Sequence, residues 1–222
     1  MEKIKTVIDH AFTADELKDR AAGILKRPSA LPSVPMGGRA RRSDLDLNAE
    51  VGVAHADRET RPAAVLIPVI DRRPEASVLL TRRTETLSQH AGQIAFPGGK
   101  MDRTDITPTD TALREAEEEV GLARDLVNVI GFLETYQTVS NIRVAPAVAI
   151  VSPEFTLRLD ESEVADAFEV PLRFLMSREN HRIHSHTWQG RERYYHAMPY
   201  GEHYIWGATA GILHNLYEWI YS

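Results

Sequence analysis

The pattern of apolar and polar positions changes texture near Pro62. Before it, one stretch carries a helical pattern, starting near Thr13 with Asp15 and Glu16 in its first turn and running to about Lys26. The next segment, RPSALPSVPMGGRARRSD, is broken by prolines and glycines and reads as a surface loop. Beyond Pro62, AAVLIPVI and ASVLLTRR are short apolar runs on either side of the charged turn DRRPEA, which predicts a strand pair. QIAFPGG predicts a further short strand ending in a Pro-Gly-Gly turn. TPTDTALREAEEEVGL has helical spacing, with Thr107 or Thr109 to cap it, Pro108 in the first turn and Gly121 to stop it. NVIGFLETYQTV and IRVAPAVAIV read as two long strands, and DESEVADAFEVPLRFLM as a second helix with its exit. Residues 183–206 alternate as further strands. The final IWGATAGILHNLYEWIY, interrupted by His214, Asn215 and Glu218, reads as an amphipathic helix packed on the core, not as a membrane span. Strands and helices interleave, which predicts an α/β (α+β) class with a mixed sheet sandwiched between helices. Residues 1–60 are read as a helix-and-loop leader and residues 61–222 as one domain.

Composition narrows the classes. A chain of 222 residues with 43% hydrophobic and 26% charged residues is neither disordered nor collagen-like. Its net charge of −6 lacks the global basic field of a nucleic-acid binder, so an anionic ligand would need a local basic patch or a bound cation. The absence of cysteine removes disulfides, thiolate zinc sites and thiol catalysis together. The opening MEKIKTVIDHAFTADELKD has no apolar signal-peptide core, and a cytoplasmic location is the expectation.

Candidate chemistry concentrates on the helix over 107–121. Glu115, Glu118 and Glu119 stand at i, i+3 and i+4 and share one face, while Ala112, Leu113, Ala116 and Val120 fall on a neighbouring face that packs inward. Carboxylates bunched in this way cost some tenths of a kcal/mol per pair. A hard divalent cation, which favours oxygen ligands and is often shared with substrate phosphates, offsets that cost. The plain alternative is a solvated acidic face. Just upstream, a strand ending in FPGG delivers Gly98 and Gly99, which permit close backbone approach to a ligand, followed by Lys100 and a polar loop.

The segment GGKMDRTDITPTDTALREAEEEVGL resembles the Nudix box, the loop-helix signature of hydrolases that cleave nucleoside diphosphates linked to another group. Arg114, Glu115, Glu118, Glu119, Gly121 and Leu122 stand where the pattern places them. Ala116 is smaller than the usual aliphatic residue, Asp105 stands where Glu is expected, and one extra residue separates Gly99 from Arg114. Residues 79–99, LLTRRTETLSQHAGQIAFPGG, are similar to the signature of the Nudix branch that hydrolyses coenzyme A and its derivatives. Leu79, Leu80, Thr81, Arg83, Gly92, Phe96, Pro97, Gly98 and Gly99 fit it, Thr84 replaces the usual Ser or Ala, and Ser88 stands where Arg is usual. That branch also carries the extra residue and the Asp in its box.

The resemblance implies the Nudix fold over residues 61–222 and a Mg²⁺- or Mn²⁺-dependent pyrophosphohydrolase. Coenzyme A would be split to adenosine 3′,5′-bisphosphate and 4′-phosphopantetheine. It implies Glu115 and Glu119 as metal ligands. Glu118 would bind a second ion or take the proton of the attacking water. Arg114 either pairs with Asp105 or another acid to brace the loop or touches a phosphate. Glu118, Glu119 and Arg114 form the expected catalytic set, and Arg82, Arg83, Gly98, Gly99 and Lys100 the expected substrate contacts. The partners implied are a small-molecule substrate and, as one expected state, a homodimer, with no nucleic acid and no membrane. Two other readings stay open: a Nudix hydrolase of another nucleotide diphosphate, and a nucleotide-binding Nudix sensor without catalysis.

Several residues carry a plain reading beside a functional one. Arg82 and Arg83 suit the ribose 3′-phosphate of coenzyme A, or simply keep a sheet edge soluble. Arg39, Arg41 and Arg42 offer a phosphate contact, or only solvation. Glu161 and Glu163 open the helix predicted after residue 159 and offer a fourth carboxylate, or only suit its first turn. His181, His184 and His186 read as solvated strand histidines rather than a metal cluster. His90 lines a pocket or makes a structural hydrogen bond, and Glu117 points away into solvent.

Overall fold

Two apolar runs form the spine of the main sheet. β2 (Arg61–Ile70) and β8 (Ile142–Val151) lie parallel and in register over all ten residues, Arg61 against Ile142 through Ile70 against Val151. The computed structural model describes residues 11–26, 42–48, 60–87, 89–188 and 190–222. A strand pair buried on both faces needs cover on each side, and β2 alternates between two apolar layers. Ala64, Leu66 and Ile70 pack with Ala112, Ala116 and Val120 of α2 (Pro108–Val120). Ala63, Ile67 and Val69 face the opposite layer, which holds Leu17 of α1 (Ala14–Ala21) and Leu213 and Leu216 of α4 (Ala208–Ile220). The architecture is the expected mixed sheet between helices.

Across the main sheet the order is β1 (Arg42–Ser43), β7 (Tyr136–Gln137), β8, β2, β3 (Ser77–Arg83) and β4 (Ile94–Ala95). In addition β5 (Gly98–Lys100) pairs with β2, β6 (Val127–Phe132) with β8, and β9 (Val164–Pro171) with β3. A second, antiparallel sheet runs β10 (Arg182–Trp188), β11 (Arg191–Tyr200) and β12 (His203–Trp206), and α4 packs on it. No helix among the described residues is long and apolar enough to cross a membrane.

Four expectations about secondary structure need correction. The second helix is instead mostly β9, leaving only the short α3 (Leu172–Leu175). Pro171 would fall inside the predicted helix, and it pushes Val170 toward extended backbone. The fully buried run Ser77–Thr81 of β3 also needs hydrogen-bond partners along this edge, and β9 supplies them from Ser77 against Pro171 to Arg83 against Val164. The Pro-Gly-Gly turn is itself a strand, with Gly98 and Gly99 paired to Val65 and Ala64. NVIGFLETYQTV is broken into β6 and β7, and pairing with β8 lapses near Pro146, which has no N–H to offer. Finally, α1 stops at Ala21 rather than near Lys26. Gly23 takes a φ of +81°, and Lys26 exchanges backbone hydrogen bonds with Phe132 at 3.0 and 2.9 Å.

The N-terminal helix is fastened to the far end of the chain. Leu17 is fully buried, Phe12 stacks on Tyr221 at 5.6 Å, and the Arg20 guanidinium lies 5.0 Å from the same ring. Downstream, Tyr136 donates to Asp44 at 2.6 Å and so holds the segment that follows β1. Arg39, Arg41, the Arg42 side chain and Ser88 lie outside the described residues.

His181 is not a solvated strand residue. It precedes β10, is 8% exposed and joins His196 of β11 and His214 of α4. Its Nε2 lies 2.8 Å from the Leu175 carbonyl, so that nitrogen carries the proton and its Nδ1 accepts from His214 Nδ1 at 3.1 Å. His196 stacks on His214 at 4.5 Å, and Tyr217 packs beside His181 at 4.8 Å. His184, by contrast, bonds the Tyr204 hydroxyl at 2.6 Å, and His186 is exposed.

Burial first, then the neighbouring His214, His181 and Arg178, pushes His196 down to about 4. His181 is likewise pushed down to about 4 by burial, with Glu218 and the Leu175 carbonyl opposing. The native state therefore binds fewer protons than the unfolded chain below about pH 6.5. Stability is full above that pH and is lost as the pH falls toward about 4. After allowance for residual solvent screening, the loss is on the order of 1–2 kcal/mol per ring. In denaturant titrations from pH 7 to pH 4, His196→Phe should keep the stacking and flatten this decline; an unchanged slope would show that the cluster does not govern it.

Candidate active site

Local signals fix α2. The Thr107 hydroxyl accepts the Asp110 N–H at 3.2 Å, the Asp110 carboxylate accepts the Thr107 N–H at 2.8 Å, and Pro108 opens the first turn. Gly121 closes the helix with a φ of +71°. Burying Ala112, Ala116 and Val120 against β2 then sets the rotation of the helix, and the same rotation turns Glu115 and Glu119 toward β5.

The glycines of β5 are where strand and helix meet. Glu119 is 3% exposed and accepts the Gly98 N–H at 3.2 Å. A Cβ on Gly99 would lie 2.5 Å from a Glu115 carboxylate oxygen, and one on Gly98 would lie 2.5 Å from the Ala64 carbonyl and 2.6 Å from Val65 Cα. Gly98 thus lets β5 lie against the β2 backbone, and Gly99 lets the Glu115 carboxylate lie over the strand.

Arg114 knits the loop before the helix. It grips Asp105 through Nε at 3.0 Å and Nη2 at 2.8 Å, and its Nη1 donates to Glu115 and Glu118 at 2.9 Å each. Asp105 also accepts the Asp102 N–H and the Thr111 hydroxyl, and the Arg114 guanidinium holds its carboxyl far below the usual range. Of the two roles the sequence allowed Arg114, the loop brace is the one observed, and Asp105 fits it despite being shorter than Glu.

The other candidates divide. Glu118 is exposed and pairs with Arg114 at 2.9 Å. Arg83 lies 3.6 Å from Glu119 and 3.8 Å from Glu163. Arg82 and Lys100 are exposed, with Arg82 opposite Asp166 across the strands. Glu161 is exposed; Glu117 pairs with Arg124 at 3.0 Å; His90 bonds Gln93 at 2.9 Å. The placement of Glu163 depends on β9, which the expected helix concealed. Strand alternation from the inward Leu79 puts Arg83 on the α2 face, a signal that its reading as a phosphate contact or a solubilising edge residue did not use.

Burial pushes Glu119 up to about 8, with the Gly98 N–H and Arg83 opposing and Glu115 and Glu163 adding to the rise. Burial raises Glu115 as well, against the pull of Arg114. Such carboxylates are short of positive charge, and an all-oxygen donor set suits a hard cation such as Mg²⁺ or Mn²⁺. Among the described residues no group of three acidic or histidine side chains is placed to hold a metal ion by itself. An ion shared with substrate phosphates does not require one.

A family model of the NUDIX domain matches residues 60–192. An uncharacterized Nudix hydrolase, NudL, of Cronobacter sakazakii is 43% identical over 157 residues, covering 70% of this chain and 81% of that protein. NudL of Escherichia coli K12 is 41% identical over 163 residues, covering 72% and 84%. Among solved structures, a MutT/nudix family protein from Enterococcus faecalis aligns with a TM-score of 0.45 at 12% identity over 76% of this chain and 67% of that one. A MutT protein from Methanosarcina mazei Go1 aligns with a TM-score of 0.44 at 19% identity over 54% and 83%.

The two glycines should fail differently. Gly98→Ala meets fixed backbone and should lower unfolding stability by about 1–3 kcal/mol. Gly99→Ala meets only the end of a side chain, so the fold should survive while Glu115 is displaced. Calorimetric Mn²⁺ affinity should then fall roughly tenfold, and an unchanged affinity would remove Glu115 from the ligand set.

Proposed function

The chain belongs to the Nudix family, and from that premise we propose that it is a Mg²⁺- or Mn²⁺-dependent pyrophosphohydrolase acting on coenzyme A or a derivative. The products are adenosine 3′,5′-bisphosphate and 4′-phosphopantetheine or its acyl form. The observation that carries this reading is the meeting of Glu115 and Glu119 with the Gly98–Gly99 strand. Its coenzyme A half is supported by the run Leu79–Gly99, which leads into that strand.

In this reading Glu115 and Glu119 hold the cation. Bound there, a cation would supply charge to offset the diphosphate and ease attack by water. The chain's own residues do the positioning. Arg114 keeps the loop over 100–107 closed against α2 through Asp105 and the Lys100 carbonyl, which fixes the edge of the site. Water forms a new bond to phosphorus as the bridging P–O bond breaks. Glu118, exposed and held by one hydrogen bond to Arg114, accepts the proton that water loses. Lys100 and Arg82 lie exposed and offer positive charge to the ribose phosphate.

Incubation of the purified protein with coenzyme A and Mg²⁺ or Mn²⁺, with chromatography of the products, should yield both halves. Glu119→Gln should lose several kcal/mol of transition-state stabilisation, or roughly 10²–10³-fold in rate. Cleavage of another nucleotide diphosphate but not of coenzyme A would replace the substrate and keep the site. A well-folded, metal-loaded protein that hydrolyses none of them would be a sensor.

A further inference from the structure

Two arginines attend the acidic face of α2, and they do so differently. Arg114 is bidentate to Asp105 at 2.8 and 3.0 Å, a directional clamp. Arg83 comes no closer than 3.6 Å to Glu119 and 3.8 Å to Glu163, beyond hydrogen-bond reach, so its attraction is Coulombic and tolerates exchange. Its place is nonetheless built. Strand alternation puts Arg83 on the same face as Leu79, which packs under α2. The register of β9 shifts between Arg82 and Arg83, and the Thr84 N–H donates to the Glu163 carbonyl at 3.0 Å, which anchors Glu163 beside the guanidinium. Its side chain is only 23% exposed, between a carboxylate from α2 and one from the approach to β9.

We propose that Arg83 is a positioning residue: it is the resident counter-charge that holds Glu119 and Glu163 in place and yields Glu119 to a divalent cation. This rests on the metal-site reading above. It gives Arg83 a role other than a phosphate contact, and the two roles make opposite predictions. A phosphate contact uses the planar fork of arginine, so Arg83→Lys would not restore it, and loss of Arg83 would raise KM and leave metal affinity alone. A Coulombic counter-charge is replaced by lysine, and its loss removes a like charge from beside the incoming cation.

The test is calorimetric Mn²⁺ titration and thermal melting of the metal-free protein, for the native chain, Arg83→Gln, Arg83→Lys and Glu119→Gln. Arg83→Gln should melt lower without metal and bind Mn²⁺ roughly tenfold more tightly, as loss of a nearby like charge implies. It should turn over more slowly, with KM unchanged within about twofold when the substrate contacts are intact. Arg83→Lys should restore melting point, affinity and turnover. Should Arg83→Gln misfold, Arg83→Met keeps the apolar stem and removes the same charge. An unchanged Mn²⁺ affinity in the neutral variants, or lysine failing to restore it, overturns the proposal. If the native chain binds no Mn²⁺, or Glu119→Gln binds it equally well, the metal-site reading has failed, and this proposal with it.

Discussion

The contact between α2 and β5 sets the terms for the rest of the site. A helix packed on a sheet ordinarily stands off by the length of its side chains, yet here Glu119 reaches the backbone N–H of Gly98 and Glu115 lies over Gly99. That proximity leaves no room for a side chain at Gly99, where a Cβ would meet the Glu115 carboxylate. It also needs β5 to be held on β2, the strand against which α2 packs. The arrangement places two carboxylates in a partly dry crevice. From this follow their raised proton affinities, the arginines gathered round them and the suitability of the crevice for a hard cation.

What could be read in the sequence was what is determined locally. The bounds of α2 follow from Thr107, Pro108 and Gly121, and its inward face from the spacing of Ala112, Ala116 and Val120. The Arg114–Asp105 brace was legible because both residues lie within one loop and the first two turns of the helix. β9 was not, because its helical-looking composition is overruled by an edge of β3 that would otherwise carry unpaired backbone groups. The same non-local decision places Glu163, which no spacing rule along the chain relates to Glu119. His181 was misread for a related reason: its partners lie on α3 and α4.

The acidic face thus has two kinds of compensation. Asp105 is satisfied by geometry, through a fork, a hydroxyl and a backbone amide. Among the described residues, Glu119 is satisfied only by one amide and a distant charge. In a low-dielectric crevice the first arrangement is rigid and the second compliant, so the loop is fixed while the carboxylates beside it keep the capacity to change partners. A site that binds and releases an ion with each substrate needs both.

The fastening of α1 to α4 bears on how the chain is made. The layer beneath β2 formed by Ala63, Ile67 and Val69 is closed jointly by Leu17 of α1 and by Leu213 and Leu216 of α4. During synthesis α1 emerges first and α4 long after it, so Leu17 and Phe12 have no complete surface to dock on while the intervening strands are being translated. One face of the nascent sheet therefore stays open to water, and to chaperones or other chains, until α4 leaves the ribosome.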